Sequence, residues 1–141
     1  MKRISAAIGA VCLILTACGG GSTDTATPVD GEGFFDGLAS VWSADRLDDR
    51  SYGIRIEFNG STDIGSVIAT VAYPGLDCAG EWRLTEADDT SITVSESVPI
   101  NPDDACTDGG SAELARAGTT LDYQWFYPSG QPSDTGTLYE G

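Results

Sequence analysis

The side chains able to do chemistry in this 141-residue chain are carboxylates and thiols: 22 Asp and Glu and four Cys, with no His at all. Without imidazole, zinc sites built on histidine, Ser-His-Asp triads and Cys-His dyads are excluded. Only seven Lys and Arg stand against the acids, which leaves a net charge of -15 and a pI near 4.1. That balance argues against nucleic acid as a partner, because phosphate contacts need clustered cations.

Among the carboxylates, Glu96 is singled out by alternation, because it shares a face with Val94 and Val98 that should turn inward. A buried carboxylate is costly unless it is hydrogen-bonded or protonated, so Glu96 should find an Arg, a Tyr hydroxyl, a Trp N–H or a backbone donor. It then serves either as a structural hydrogen-bond anchor or as a ligand-contacting, proton-exchanging group. The remaining acids cluster at Asp45, Asp48 and Asp49, at Asp88 and Asp89, and at Asp103, Asp104 and Asp108. Read as an EF-hand from Asn101 or Asp104, the third cluster puts Ala105 or Ala115 where ligands belong, so no metal is expected and the acids read as a solvated, repulsive surface. No spacing singles out a carboxylate pair for glycoside hydrolysis. No catalytic residue and no cofactor are expected.

The thiols divide by position. Lys2 and Arg3 precede an uncharged run over 4–17 that is too short to span a bilayer but suits a signal peptide. It ends in Leu15-Thr16-Ala17-Cys18, which resembles the lipobox of bacterial lipoproteins. The resemblance implies diacylation of Cys18, cleavage just before it, and loss of residues 1–17 together with Cys12. It also implies a lipid anchor on the extracytoplasmic side of the cell membrane or the outer membrane. Cleavage removes Lys2 and Arg3, so five Arg face 22 acids, a net charge of 5 minus 22, or -17. Such a body is repelled by anionic headgroups. Residues 18–33, rich in Gly, Ser and Thr, read as a flexible tether with a reach of about 20 Å.

The elements that must position these groups lie in residues 34–141, where the apolar period is two. Runs of alternation occur around Val41 and Trp42, over 51–58, 67–73, 80–85 and 92–98, around Ala112 and Leu114, over 121–127, and over 137–139. In the second run Tyr52, Ile54, Ile56 and Phe58 share a face, and in the third Val67, Ala69, Val71 and Tyr73 do. Asn59-Gly60, Pro74-Gly75, Asp88-Asp89, Gly118 and Ser129-Gly130 supply turns between runs. Asn59-Gly60-Ser61 is read as one of these turns rather than as a glycosylation site. Short connections join antiparallel neighbours, so eight strands should form an up-and-down meander. Closure into a small, calycin-like barrel removes free edges, and a β-sandwich is the alternative.

In that meander Cys78 and Cys106 precede the fourth and sixth strands and lie at the same end, and in an oxidising compartment they should form a disulfide. Tyr52, Tyr73, Trp82, Tyr123 and Trp125 fall on inner faces, where they either fill the barrel or line a pocket, a filled core being favoured. Tyr127 is assigned to the inner face as well, and Phe126, on the opposite face, is the candidate for partner contact.

Several segments together resemble a small extracytoplasmic domain of actinobacterial secreted proteins and serine/threonine kinase C-termini. They are Val71-Ala72-Tyr73-Pro74, Cys78-Ala79-Gly80, Glu96-Ser97-Val98, Cys106-Thr107-Asp108-Gly109-Gly110 and Leu121-Asp122-Tyr123-Gln124-Trp125. The resemblance implies a disulfide-bearing β domain of sensing or binding type. Trp42 near the first strand is similar to the tryptophan of lipocalin-like calycins. The expected function is a membrane-anchored, non-catalytic module that binds a small molecule or an envelope protein. An inhibitor of a protease or other envelope enzyme is the alternative.

Overall fold

The alternation in Ile54-Arg55-Ile56-Glu57-Phe58 gives a strand one apolar face, and a sheet built of such strands must bury that face. In a computed structural model, which describes residues 30–141, the sheet does so by closing on itself. The strands are β1 (Val41–Ala44), β2 (Ile54–Phe58), β3 (Val67–Tyr73), β4 (Cys78–Ala87), β5 (Ser91–Ile100), β6 (Ser111–Ala117), β7 (Thr120–Phe126) and β8 (Pro132–Glu140). Each pairs antiparallel with the next, and β8 returns to β1 through Trp42↔Glu140 and Ser43↔Tyr139. The described residues thus form an eight-stranded up-and-down barrel, preceded by a short helix, α1 (Glu32–Phe35). The lipobox and Cys18 lie outside the described residues, as does most of the expected tether.

Inward residues follow the expected alternation closely, with one shift. A bulge between Val67 and Ala69 lets Ile68 and Ala69 both turn inward, fully buried, while Val67 is only half-buried. One extra residue on a strand reverses which face its neighbours occupy. Asn59 folds back on its own loop, donating from Nδ2 to the Val67 carbonyl at 2.8 Å and accepting from the Ser61 N–H at 2.9 Å. The loop it organises runs from 59 to 66, longer than a tight hairpin.

The two ends of the barrel differ. At one end the hairpins β4–β5 and β6–β7 and the β2–β3 loop meet α1, which acts as a stopper. Packing starts at Gly31, three residues before the expected boundary, where its N–H donates to the Thr62 carbonyl at 2.9 Å. Phe34 is fully buried, and Arg116 at the end of β6 holds it in place. The guanidinium lies 5.6 Å from the Phe34 ring centroid and donates to the Phe34 carbonyl from Nε at 2.7 Å and to the Asp36 carbonyl at 2.5 Å. Charge-assisted bonds are the stronger kind and cation–π contacts add to them. Arg116→Ala should therefore lower stability by about 2 kcal/mol, read by urea denaturation. An unchanged midpoint would mean that α1 closes the barrel without this clamp.

Asp88 organises the β4–β5 turn at the same end, accepting bonds from the N–H and hydroxyl groups of Thr90 and Ser91. Those donors hold its carboxyl down at a pKa of about 2. Asp88 thus forms the turn that Asp88-Asp89 marks in the sequence, and its carboxylate is engaged there rather than simply solvated.

Candidate functional site

The opposite end is ringed by the β1–β2 loop, the β3–β4 and β7–β8 turns and the β5–β6 loop, and it opens into a cavity of about 230 Å³. Among the described residues two carboxylates are buried, Glu96 at 5% exposure and Asp134 at 9%, and both line this cavity.

Glu96 is placed on β5 by the alternation that begins at Ile92, and three donors converge on it. Trp82 sits directly across the β4–β5 ladder and gives its indole N–H to Oε2 at 2.7 Å. The Tyr73 hydroxyl, from the end of β3, donates to the same oxygen. Trp125, from β7, donates to Oε1 at 3.2 Å. Trp125 reaches it by lying over Gly110, where a Cβ would collide with the indole ring, so glycine is required at that position. Burial raises the pKa of Glu96, and the three donors work against that rise. Tyr73 and Tyr123 are buried beside it and stay protonated, with pKa values well above the ordinary tyrosine value, mainly from desolvation.

This gives a signed pH dependence. A carboxyl whose folded pKa exceeds its unfolded value of about 4.5 binds more protons folded than unfolded between the two. The contribution of Glu96 is therefore greatest below about 4.5 and is lost as pH rises through the raised folded value. Asp88 acts oppositely, its contribution being lost as pH falls from the ordinary carboxylate range toward about 2. Asp108, Tyr73 and Tyr123 are the titratable groups coupled to Glu96, and both tyrosines remain neutral through this window. Denaturation between pH 4 and 8 should show the decline in the parent protein and flatten it in Glu96→Gln, and equal slopes would count against it.

Asp134 has its own partners. Arg50 Nε is 2.7 Å from Oδ1, the Ser133 hydroxyl donates to Oδ1 at 3.0 Å, and the Tyr52 hydroxyl donates to Oδ2. Arg50 is brought there by the β1–β2 loop, which is pinned by Leu47, 2% exposed and packed over Gly136. The Asp48 N–H bonds the Thr135 carbonyl at 2.8 Å, and the Arg50 N–H closes a turn on the Leu47 carbonyl. Burial and the Asp134 carboxylate raise the Tyr52 hydroxyl well above its ordinary pKa.

The β5–β6 loop crosses the mouth. The sulfurs of Cys78 and Cys106 are at bonding distance, with Cα atoms 6.4 Å apart. Asn101 holds the loop from within, donating to the Cys106 carbonyl at 2.7 Å and accepting from its N–H at 3.1 Å. Asp108 accepts the Val98 N–H at 2.8 Å. Among the described residues, no three His, Cys, Asp or Glu come together as a metal-binding group.

Of the aromatic residues expected to line a pocket, Tyr52, Tyr73, Tyr123 and Trp125 do so, while Trp82 lies below the floor, fully buried and stacked on Tyr123. The lower barrel is filled and the upper end is hollow. Tyr127, assigned to the inner face, lines the cavity from its rim, 39% exposed, while Phe126, the candidate for partner contact, is half-buried. The strand ends at Phe126, so the alternation no longer governs Tyr127.

Asp134 and Arg50 were not anticipated. Stepping back by twos from buried Leu138 through Gly136 reaches Asp134, so alternation in β8 carried that signal. Nothing local marks Arg50, whose position depends on how the loop folds. No protein-family model, curated protein or solved structure matches the chain.

Proposed function

We propose that this protein is a lipid-anchored, extracytoplasmic binding module, acylated at Cys18, whose ligand enters the open end of the barrel. The observation that carries the reading is the polarity of the barrel. The chain enters at Asp30 beside the stoppered end, and the cavity opens at the other. An anchor on Cys18 therefore joins the body at the closed pole and leaves the mouth free to face away from the bilayer, a standoff that the acidic body favours.

A non-catalytic role is supported by how the carboxylates are held. The Trp N–H groups on Glu96 can only donate, which fixes the carboxylate as an acceptor. Asp134 is similarly engaged by Arg50, Ser133 and Tyr52. The inhibitor alternative gains less support, since the β5–β6 loop is tied down rather than projecting.

Anchoring is tested by growing cells with a clickable palmitate analogue. The parent chain should be labelled and pellet with membranes, and Cys18→Ser should abolish both. Labelling that survives Cys18→Ser would reject the anchor. Binding is tested by tryptophan fluorescence, since Trp125 lines the cavity.

A further inference from the structure

The cavity's ligand class can be read from its lining. We propose that it is a site for a small organic cation, a quaternary or primary alkylammonium group seated among the aromatic rings against Glu96. This deepens the binding reading above and rests on it.

Charge is the first ground. The charged lining residues are Arg50 against Glu96 and Asp134, one positive and two negative, a net of -1. Arg50 neutralises Asp134 at 2.7 Å. Glu96 has neutral donors only, so once ionised the deeper carboxylate has no counterion among its partners.

Its oxygens are unequally used. Oε2 accepts from Tyr73 and Trp82, whereas Oε1 accepts only from Trp125, at the longer 3.2 Å, and so has capacity for another donor.

The rings are the second ground. Tyr52, Tyr73, Tyr123, Trp125 and Tyr127 all line the cavity. Tyr52 with Tyr73 and Trp125 with Tyr127 are edge-to-face, at interplanar angles of 82° and 78°. Perpendicular pairs turn π faces in more than one direction, and π faces attract cations. Size agrees as well, because about 230 Å³ is below the range of drug-sized pockets, about 300 to 1,000 Å³, and suits a small head group. A calcium ion would require about six to eight oxygen ligands, and among the described residues no three His, Cys, Asp or Glu come together to supply them. An anion would meet the Glu96 charge, and the protein's acidic field draws cations inward.

The experiment titrates the purified full chain with choline, tetramethylammonium and butylammonium, followed by calorimetry and tryptophan fluorescence. Two matched probes accompany them: neohexanol, the shape of choline with carbon in place of nitrogen, and the tert-butylacetate anion. Choline should bind at least about tenfold more tightly than neohexanol, and Glu96→Gln should remove that preference. Tyr127→Ala, at the rim where the ring is 39% exposed, should weaken choline several-fold, and it keeps the test available if Glu96→Gln fails to fold. Equal affinity for choline and neohexanol, or preference for the anion, overturns the cation assignment while leaving a binding cavity. No response to any of the probes overturns the assignment and the binding reading together.

Discussion

Replacing Glu96 by Leu is expected to destabilise the protein by about 4 kcal/mol, more than a typical surface or cap substitution. The loss comes from the groups left behind. The Trp82 and Trp125 N–H groups and the Tyr73 hydroxyl all point at this carboxylate from three different strands. With Leu in place they have no acceptor, and each buried donor without a partner costs about 1 to 3 kcal/mol. Glu96→Gln keeps an acceptor oxygen and should lose less than half as much. Urea denaturation of the two variants beside the parent measures the difference. If Leu and Gln prove equally mild, the three bonds do not organise the barrel, and Glu96 is a tolerated rather than a structural charge.

The second large effect concerns the bond at the mouth. Cys78 and Cys106 are 28 residues apart in sequence, and closing a loop of that size removes enough disorder from the unfolded chain to be worth about 3.5 kcal/mol. For a domain of about 100 residues that corresponds to a fall in melting temperature on the order of 15 °C when the bond is reduced. Calorimetry with and without reductant, and of the Cys78→Ser/Cys106→Ser double variant, gives the number. The variant should not respond to reductant. The bond also sets the site, because Cys106 lines the cavity and the β5–β6 loop forms part of its rim. Ligand affinity should therefore fall more in the reduced protein than in Arg116→Ala, whose lesion lies at the other pole. Equal losses of affinity would mean that the mouth is shaped by global stability alone.

Both expectations start from residues that are prominent in the sequence, for reasons that can be separated. Glu96 is a carboxylate in an apolar register, and the requirement for a Tyr or Trp donor follows from the energetics of burial alone. The cysteines sit before the fourth and sixth strands of a meander, so strand counting is enough to put them at one end. Tyr52, Tyr73, Tyr123 and Trp125 share inward faces for the same reason. Where alternation was interrupted, legibility ended: at the bulge beside Ile68, at Tyr127 beyond the end of β7, and at α1, whose four residues are too few to carry a period.

What the sequence determined by itself is therefore local and periodic: eight strands, their order, which side chains face inward, and that Glu96 must be satisfied by donors. A period of two is a property of consecutive residues and survives whatever the rest of the chain does. Only the tertiary structure decided which donors reach Glu96, that Arg50 meets Asp134, and that one end is stoppered while the other is hollow. Those outcomes depend on the stagger of strands around a closed barrel and on the folding of the β1–β2 and β5–β6 loops. They bring together side chains as far apart in sequence as Tyr52 and Asp134, and no local pattern encodes that distance.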